Sequence, residues 1–161
     1  MSDRPIQRRA DLAFASLDDA VAEARSLLAG GYARAGNWTL GQTCDHLATF
    51  TRYSLDGFPS RGLPWPLTAI ARWAFLREAK LSKPMPANQP TPSFLRSDEA
   101  DDGAGVERFA NECGRFQQRL ADGGSLARSP IFGRLTPQTW GRMHRNHAAL
   151  HLGFLVPAGG E

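Results

Sequence analysis

The chain has 161 residues, of which 42% are hydrophobic and 22% charged, the range of an ordinary globular chain long enough for one domain with its own core. No apolar run approaches membrane-spanning length, so no membrane association is expected. The net charge of +3 comes from scattered arginines, with only Lys80 and Lys83 as lysines and no basic-aromatic stripe, which argues against a specific nucleic-acid partner.

The N-terminal Met1 to Arg9 has no apolar stretch after its arginines, so a signal peptide is not expected. Cys44 and Cys113 are far apart and form no CxxC pair, in keeping with a reduced, cytoplasmic compartment. A first helix is expected from Ser16, which can cap it, with Asp18 and Asp19 in the first turn. Leu17, Val21, Ala24 and Leu28 recur at helical spacing, and Gly30-Gly31 ends the run. A second helix opens on the capping-box pattern Thr39-Leu40-Gly41-Gln42 and should reach about Leu55, stopping at Asp56-Gly57. Leu40, Cys44, Leu47 and Thr51 define its inner face, and His46 and Phe50 flank that face, where side chains can line a pocket.

Pro66 suits the first turn of a third helix, whose periodic apolar positions are Leu67, Ile70, Trp73, Ala74 and Leu81. The stretch holding Pro84, Pro86, Pro90 and Pro92 cannot be helix interior, and so long a connection is often functional. Asp98 to Asp102 makes an acidic start for a fourth helix, with Val106, Phe109, Cys113, Phe116 and Leu120 inside and Gly123-Gly124 at its end. Thr136 and Pro137 open the last helix, expected to end near Val156-Pro157. With no strand-like alternation, the expected fold class is all-α, an antiparallel four-helix bundle with a Pro-rich connecting loop.

That last helix carries three of the four histidines. His144, His147 and His151 fall in one stripe about 60° wide, on a face that also bears Trp140, Met143, Leu150 and Phe154. Buried imidazoles need partners. Two readings follow. They are satisfied core histidines, or His147 and His151, at i and i+4, share a metal with His46 from the second helix, with His144 as an outer partner, an alternative ligand or a pocket wall. Cys44, two residues from His46, would point elsewhere on a helix, so a Cys-His nucleophile pair is not expected. Gly103-Ala104-Gly105 lacks the preceding strand of a dinucleotide site. Asp45 reads as a solvent-facing carboxylate.

Gly36-Asn37-Trp38-Thr39-Leu40-Gly41-Gln42 with His46-Leu47, then Ser54-Leu55-Asp56-Gly57-Phe58-Pro59, resembles the DUF1569 family. Phe132-Gly133-Arg134-Leu135-Thr136, Trp140 and His147-Ala148-Ala149-Leu150-His151-Leu152 extend the resemblance over roughly residues 8–156 of a single domain spanning 1–161. Leu150 and Ser129 stand where many relatives have histidine. The family is similar to the DinB-like (YfiT-like) superfamily of metalloenzymes. That resemblance implies a four-helix bundle, a divalent metal (zinc or nickel most often) held by His46, His147 and His151, and a low-molecular-weight thiol as co-reactant. It implies a thiol-dependent transferase or isomerase, or a hydrolase-like enzyme, acting on a small-molecule substrate, with a homodimer as an open alternative. The Pro-rich loop, Trp38 and Trp140 are expected to wall the pocket. The rival functions are a non-catalytic bundle that holds a small ligand or metal, and a stress-linked interaction protein with a vestigial site.

Overall fold

The computed structural model describes residues 6–76 and 85–159. In chain order the elements are α1 (Leu17–Gly30), β1 (Tyr32–Arg34), α2 (Leu40–Asp56), α3 (Trp65–Phe75), a 3₁₀ turn (Ser93–Leu95), α4 (Asp102–Ala121), α5 (Pro137–Leu152) and β2 (Leu155–Pro157). The caps explain the starts. Ser16 and Asp19 form a reciprocal capping box on α1, as do Thr39 and Gln42 on α2, and the Thr136 hydroxyl accepts from the Thr139 N–H on α5. On α4 the cap is Asp101, whose carboxylate accepts from the Ala104 N–H.

The protein is mostly helical. α2 packs along α4, α1 packs on α4, α5 and α2, and α2 also meets α5. Leu27, Leu40, Phe109, Phe116, Trp140 and Leu152 are the large side chains sealed between them. At the N-terminal ends of α2 and α4 the two backbones nearly touch. A Cβ at Gly105 would lie 2.5 Å from the Gly41 carbonyl oxygen, and one at Gly41 would lie 2.7 Å from that of Asp101. Asp102 clamps the same junction: its carboxylate accepts from the Gly41 N–H at 2.7 Å and from the Tyr32 hydroxyl at 2.8 Å. Gly105 is therefore a packing residue. This junction sets the pose of α2, and with it of His46.

Three expectations need correction. The fold is not purely helical: β1 and β2 pair antiparallel, with Ala33 opposite Val156. The segments entering after α1 and leaving after α5 run side by side, and their backbone groups need partners. Second, α5 stops at Leu152, short of Val156-Pro157. Arg9 takes over there: its N–H donates to the Gly153 carbonyl, its guanidinium donates to the carbonyls of Leu152 and Leu155, and it pairs with Glu23 on α1. Third, α3 is not packed through Leu67, Ile70 and Trp73. Only Ala71 is buried, whereas Ile70 is 61% and Trp73 65% exposed. Arg72 donates to the carbonyls of Phe132 and Arg134 and Phe75 meets the Phe132 ring, so the helix is tied to the 132–134 segment with Ile70 and Trp73 on its outward side. Leu81 and Pro84 lie outside the described residues.

The glycine contact yields a paired test. Gly105→Ala should lower unfolding stability by about 1–3 kcal/mol, because the methyl group has only backbone to displace. Gly114→Ala, on the same helix with nothing within 4 Å, should instead raise it by up to about 1 kcal/mol through helix propensity. Urea denaturation of the two variants would refute the contact if both moved the midpoint in the same direction.

Candidate metal centre

α2 and α5 present their histidines to one another across the core. His46 projects from α2, and His147 and His151 lie one turn apart on α5. One ring nitrogen from each lies within 4.8 Å of the other two. The Nε2 atoms of His46 and His147 are 3.0 Å apart. Two nitrogens bound to one zinc at about 2.0–2.1 Å are separated by about 2.9–3.4 Å between right-angled and tetrahedral geometry. The three-histidine group could therefore hold a metal ion, and its donor set suits zinc and neighbouring divalent ions.

A backbone carbonyl fixes the orientation of His46. Its Nδ1–H donates to the Leu95 carbonyl at 2.7 Å, which leaves the Nε2 lone pair facing the other two rings. The 3₁₀ turn bearing Leu95 is in turn held by a polar network. Asp45 accepts from the Ser97 hydroxyl at 2.5 Å and from Arg108 at 2.6 Å, and Arg108 also pairs with Glu99. Asp45 thus corrects its reading as a solvent-facing carboxylate: it anchors the loop that orients its neighbour His46. No sequence signal marks the Leu95 carbonyl, because any residue supplies one.

Electrostatics favour neutral rings throughout. Burial pushes His46 below the usual imidazole range, against opposing help from the Leu95 hydrogen bond and Asp45. Burial and then the neighbouring histidines push His147 well down, and His151 falls to about 3 by burial and by His46. Neutral imidazole is the ligand form. The two cysteines are excluded from this chemistry. Both are buried, outside the histidine group, and burial raises both thiols far above neutral pH.

His144 does not join the group. It is buried beside Phe116 and Trp140, and its Nε2 lies 2.9 Å from the Ser54 hydroxyl. That hydroxyl donates to the Thr51 carbonyl at 2.6 Å, so His144 Nε2–H donates to the hydroxyl oxygen. His144 is the satisfied core histidine of the set, and burial lowers it to about 3.

The chain belongs to the DUF1569 family. The family, described as a protein of unknown function, matches residues 6–158. No curated protein and no solved structure matches the chain. The DUF1569 match includes all three converging histidines and the aromatic residues around them.

Trp38, just before the Thr39 cap, stacks on His151 with ring centroids 5.3 Å apart and planes 9° apart, and also meets His46. Phe50 sets its edge against His147 at 4.6 Å. Trp140, by contrast, is fully buried and stacks on Phe58 and His144; it is core and does not wall the pocket. The wall lies elsewhere. A cavity of 440 Å³ opens over the three histidines, roofed by the 85–92 segment, including Pro90 and Pro92. Ile131, Phe132, Met143 and Leu150 close its sides, none of them marked as pocket residues by sequence spacing alone. Among the described residues, no helix is long and apolar enough to cross a membrane.

Depressed imidazole pKa values have a definite consequence for stability. A histidine whose folded pKa lies below its unfolded value near 6.5 contributes fully above pH 6.5, and that contribution is lost as pH falls from 6.5 toward the folded value. In chelator-treated protein, stability should drop between pH 6 and 5 by about 1.4 kcal/mol per pH unit for each such ring, with His144 and His151 among them. His144→Gln, which preserves a donor to Ser54, should reduce the slope by about one proton. Urea midpoints that stay flat between pH 6.5 and 5 would contradict neutral burial.

Proposed function

We propose that the protein is a divalent-metal-dependent enzyme of the DinB-like type, with His46, His147 and His151 as its three metal ligands. On this reading α1, α2, α4 and α5 are the four helices of the bundle, residues 1–161 are one domain, and α3 with the Pro-rich segment is an insertion beside the site. The observation that carries the proposal is the convergence of three neutral ring nitrogens from two helices, beside a cavity and without a fourth protein donor among the described residues. Three protein ligands with an open position is the arrangement of catalytic zinc, whereas structural zinc is closed by four.

The chain's own residues have separable parts. The Leu95 carbonyl holds the His46 tautomer. Trp38 and Phe50 pack the rings of His151 and His147 against rotation and limit water. The 440 Å³ cavity receives the small-molecule substrate on the side that the ligands leave open. The chemistry gained with zinc or nickel at this place is Lewis acidity, which lowers the pKa of a low-molecular-weight thiol or a water so that it can act as a nucleophile near neutral pH. That chemistry suits a thiol-dependent transferase or isomerase.

Elemental analysis of protein purified without a histidine tag or chelator should find about one equivalent of divalent metal per chain. His147→Ala should abolish it, since two ligands rarely hold an ion in a preformed bundle. His144→Gln should retain it, since that ring is bonded to Ser54. Uptake should weaken as pH falls, because protonated imidazole is not a ligand. Unchanged metal content in His147→Ala would remove the assignment.

A further inference from the structure

We infer that the cavity above the histidines takes an uncharged, largely apolar small molecule and rejects substrates bearing a phosphate or carboxylate away from the reacting atom. The arginines are the first observation. The chain has seventeen of them, counted from its sequence, and none of those among the described residues lines this cavity. Among the described residues, its lining includes no lysine, aspartate or glutamate either. Its sides are Phe50, Leu95, Ile131, Phe132, Met143 and Leu150. Among the described residues, the buried polar atoms of its lining are the ring nitrogens of His46, His147 and His151, which converge where a ligand heteroatom can be satisfied.

The second observation is where the remaining polar groups lie. Asn88, Gln89 and Thr91 border this cavity and also a neighbouring cleft of 410 Å³, which Asn37, Trp38 and Thr43 line. His151 and Phe154 are common to both spaces. The polar rim is therefore set at the border, and the apolar walls lie beyond it. A charged group carried into the apolar part would lose its hydration without gaining a counter-ion or donors, a penalty of several kcal/mol in such surroundings. An aromatic or branched aliphatic group loses nothing there and gains contact. The volume falls in the range of about 300–1,000 Å³ usual for small-molecule sites. The requirement for a metal-seeking heteroatom rests on the proposed metal site; the preference for an apolar, uncharged body does not.

The test separates these two parts. Metal-free protein is titrated with N-phenyl-1-naphthylamine, a neutral apolar fluorophore, and cobalt-loaded protein with 2-phenylethanethiol and with 3-mercaptopropionate, reading thiolate charge-transfer absorption. The fluorophore should bind with one-to-one stoichiometry and enhanced, blue-shifted emission. 2-Phenylethanethiol should displace it and should bind the cobalt form about tenfold or more tightly than the carboxylate thiol. Ile131→Arg places a cation at the wall from a half-exposed loop position, so the fold should tolerate it. In that variant the preference should narrow or reverse. If cobalt is not taken up but the fluorophore binds and is displaced only by the neutral thiol, the inference stands and the metal reading fails. Good cobalt uptake with no fluorophore binding, or with equal affinity for the two thiols in the unaltered protein, would overturn the inference.

Discussion

Three imidazoles with nitrogens within 4.8 Å of one another, largely shut off from water, cannot all carry a positive charge. Burial penalises the first charge, and each neighbour penalises the next. The rings are therefore neutral, and each neutral ring brings a lone pair that must face a proton or a cation. The Leu95 carbonyl removes the ambiguity for His46 by taking its Nδ1–H, so that the lone pair points at the other two. Much of the surrounding structure serves that arrangement. The Gly41–Gly105 contact and the Asp102 clamp set α2 against α4; Arg108 and Asp45 tie the Leu95 turn to both helices; Arg9 holds the end of α5 just beyond His151.

The helices were legible because their starts carry chemistry that works locally. Ser16 with Asp19, and Thr39 with Gln42, satisfy orphan N–H groups within four residues, as the Thr136 hydroxyl does for the Thr139 N–H, with no help from the rest of the fold. The convergence of His147 and His151 was legible for the same reason, since a helical repeat alone places them on one side. His46 could be put with them only as a candidate from a second helix, which the family resemblance supported, because nothing in its local sequence says which helix it faces.

What stayed hidden depends on long-range contact or on backbone atoms. The β1–β2 pair is three residues on each side, too short for alternation to register, and exists because two chain segments lie adjacent. The outward apolar side of α3 could not be read from its spacing, since Arg72 finds its carbonyl partners sixty residues away in the chain. Trp140 and His144 share the stripe with the converging rings but turn toward Phe58 and Ser54, a difference of packing that periodicity does not encode. Asp45 looked like surface because its partners, Ser97 and Arg108, come from a loop and a distant helix.

The central claim is that His46, His147 and His151 together coordinate one ion and leave a position open. X-ray absorption at the metal edge of the zinc-loaded protein tests it most directly. The account predicts a first shell of three nitrogen scatterers at about 2.0–2.1 Å with the outer-shell pattern of imidazole rings, plus one light atom not contributed by the chain, and loss of one ring in His46→Ala. A shell containing sulfur, or four imidazole-free oxygen scatterers, would place the ion elsewhere and contradict the account.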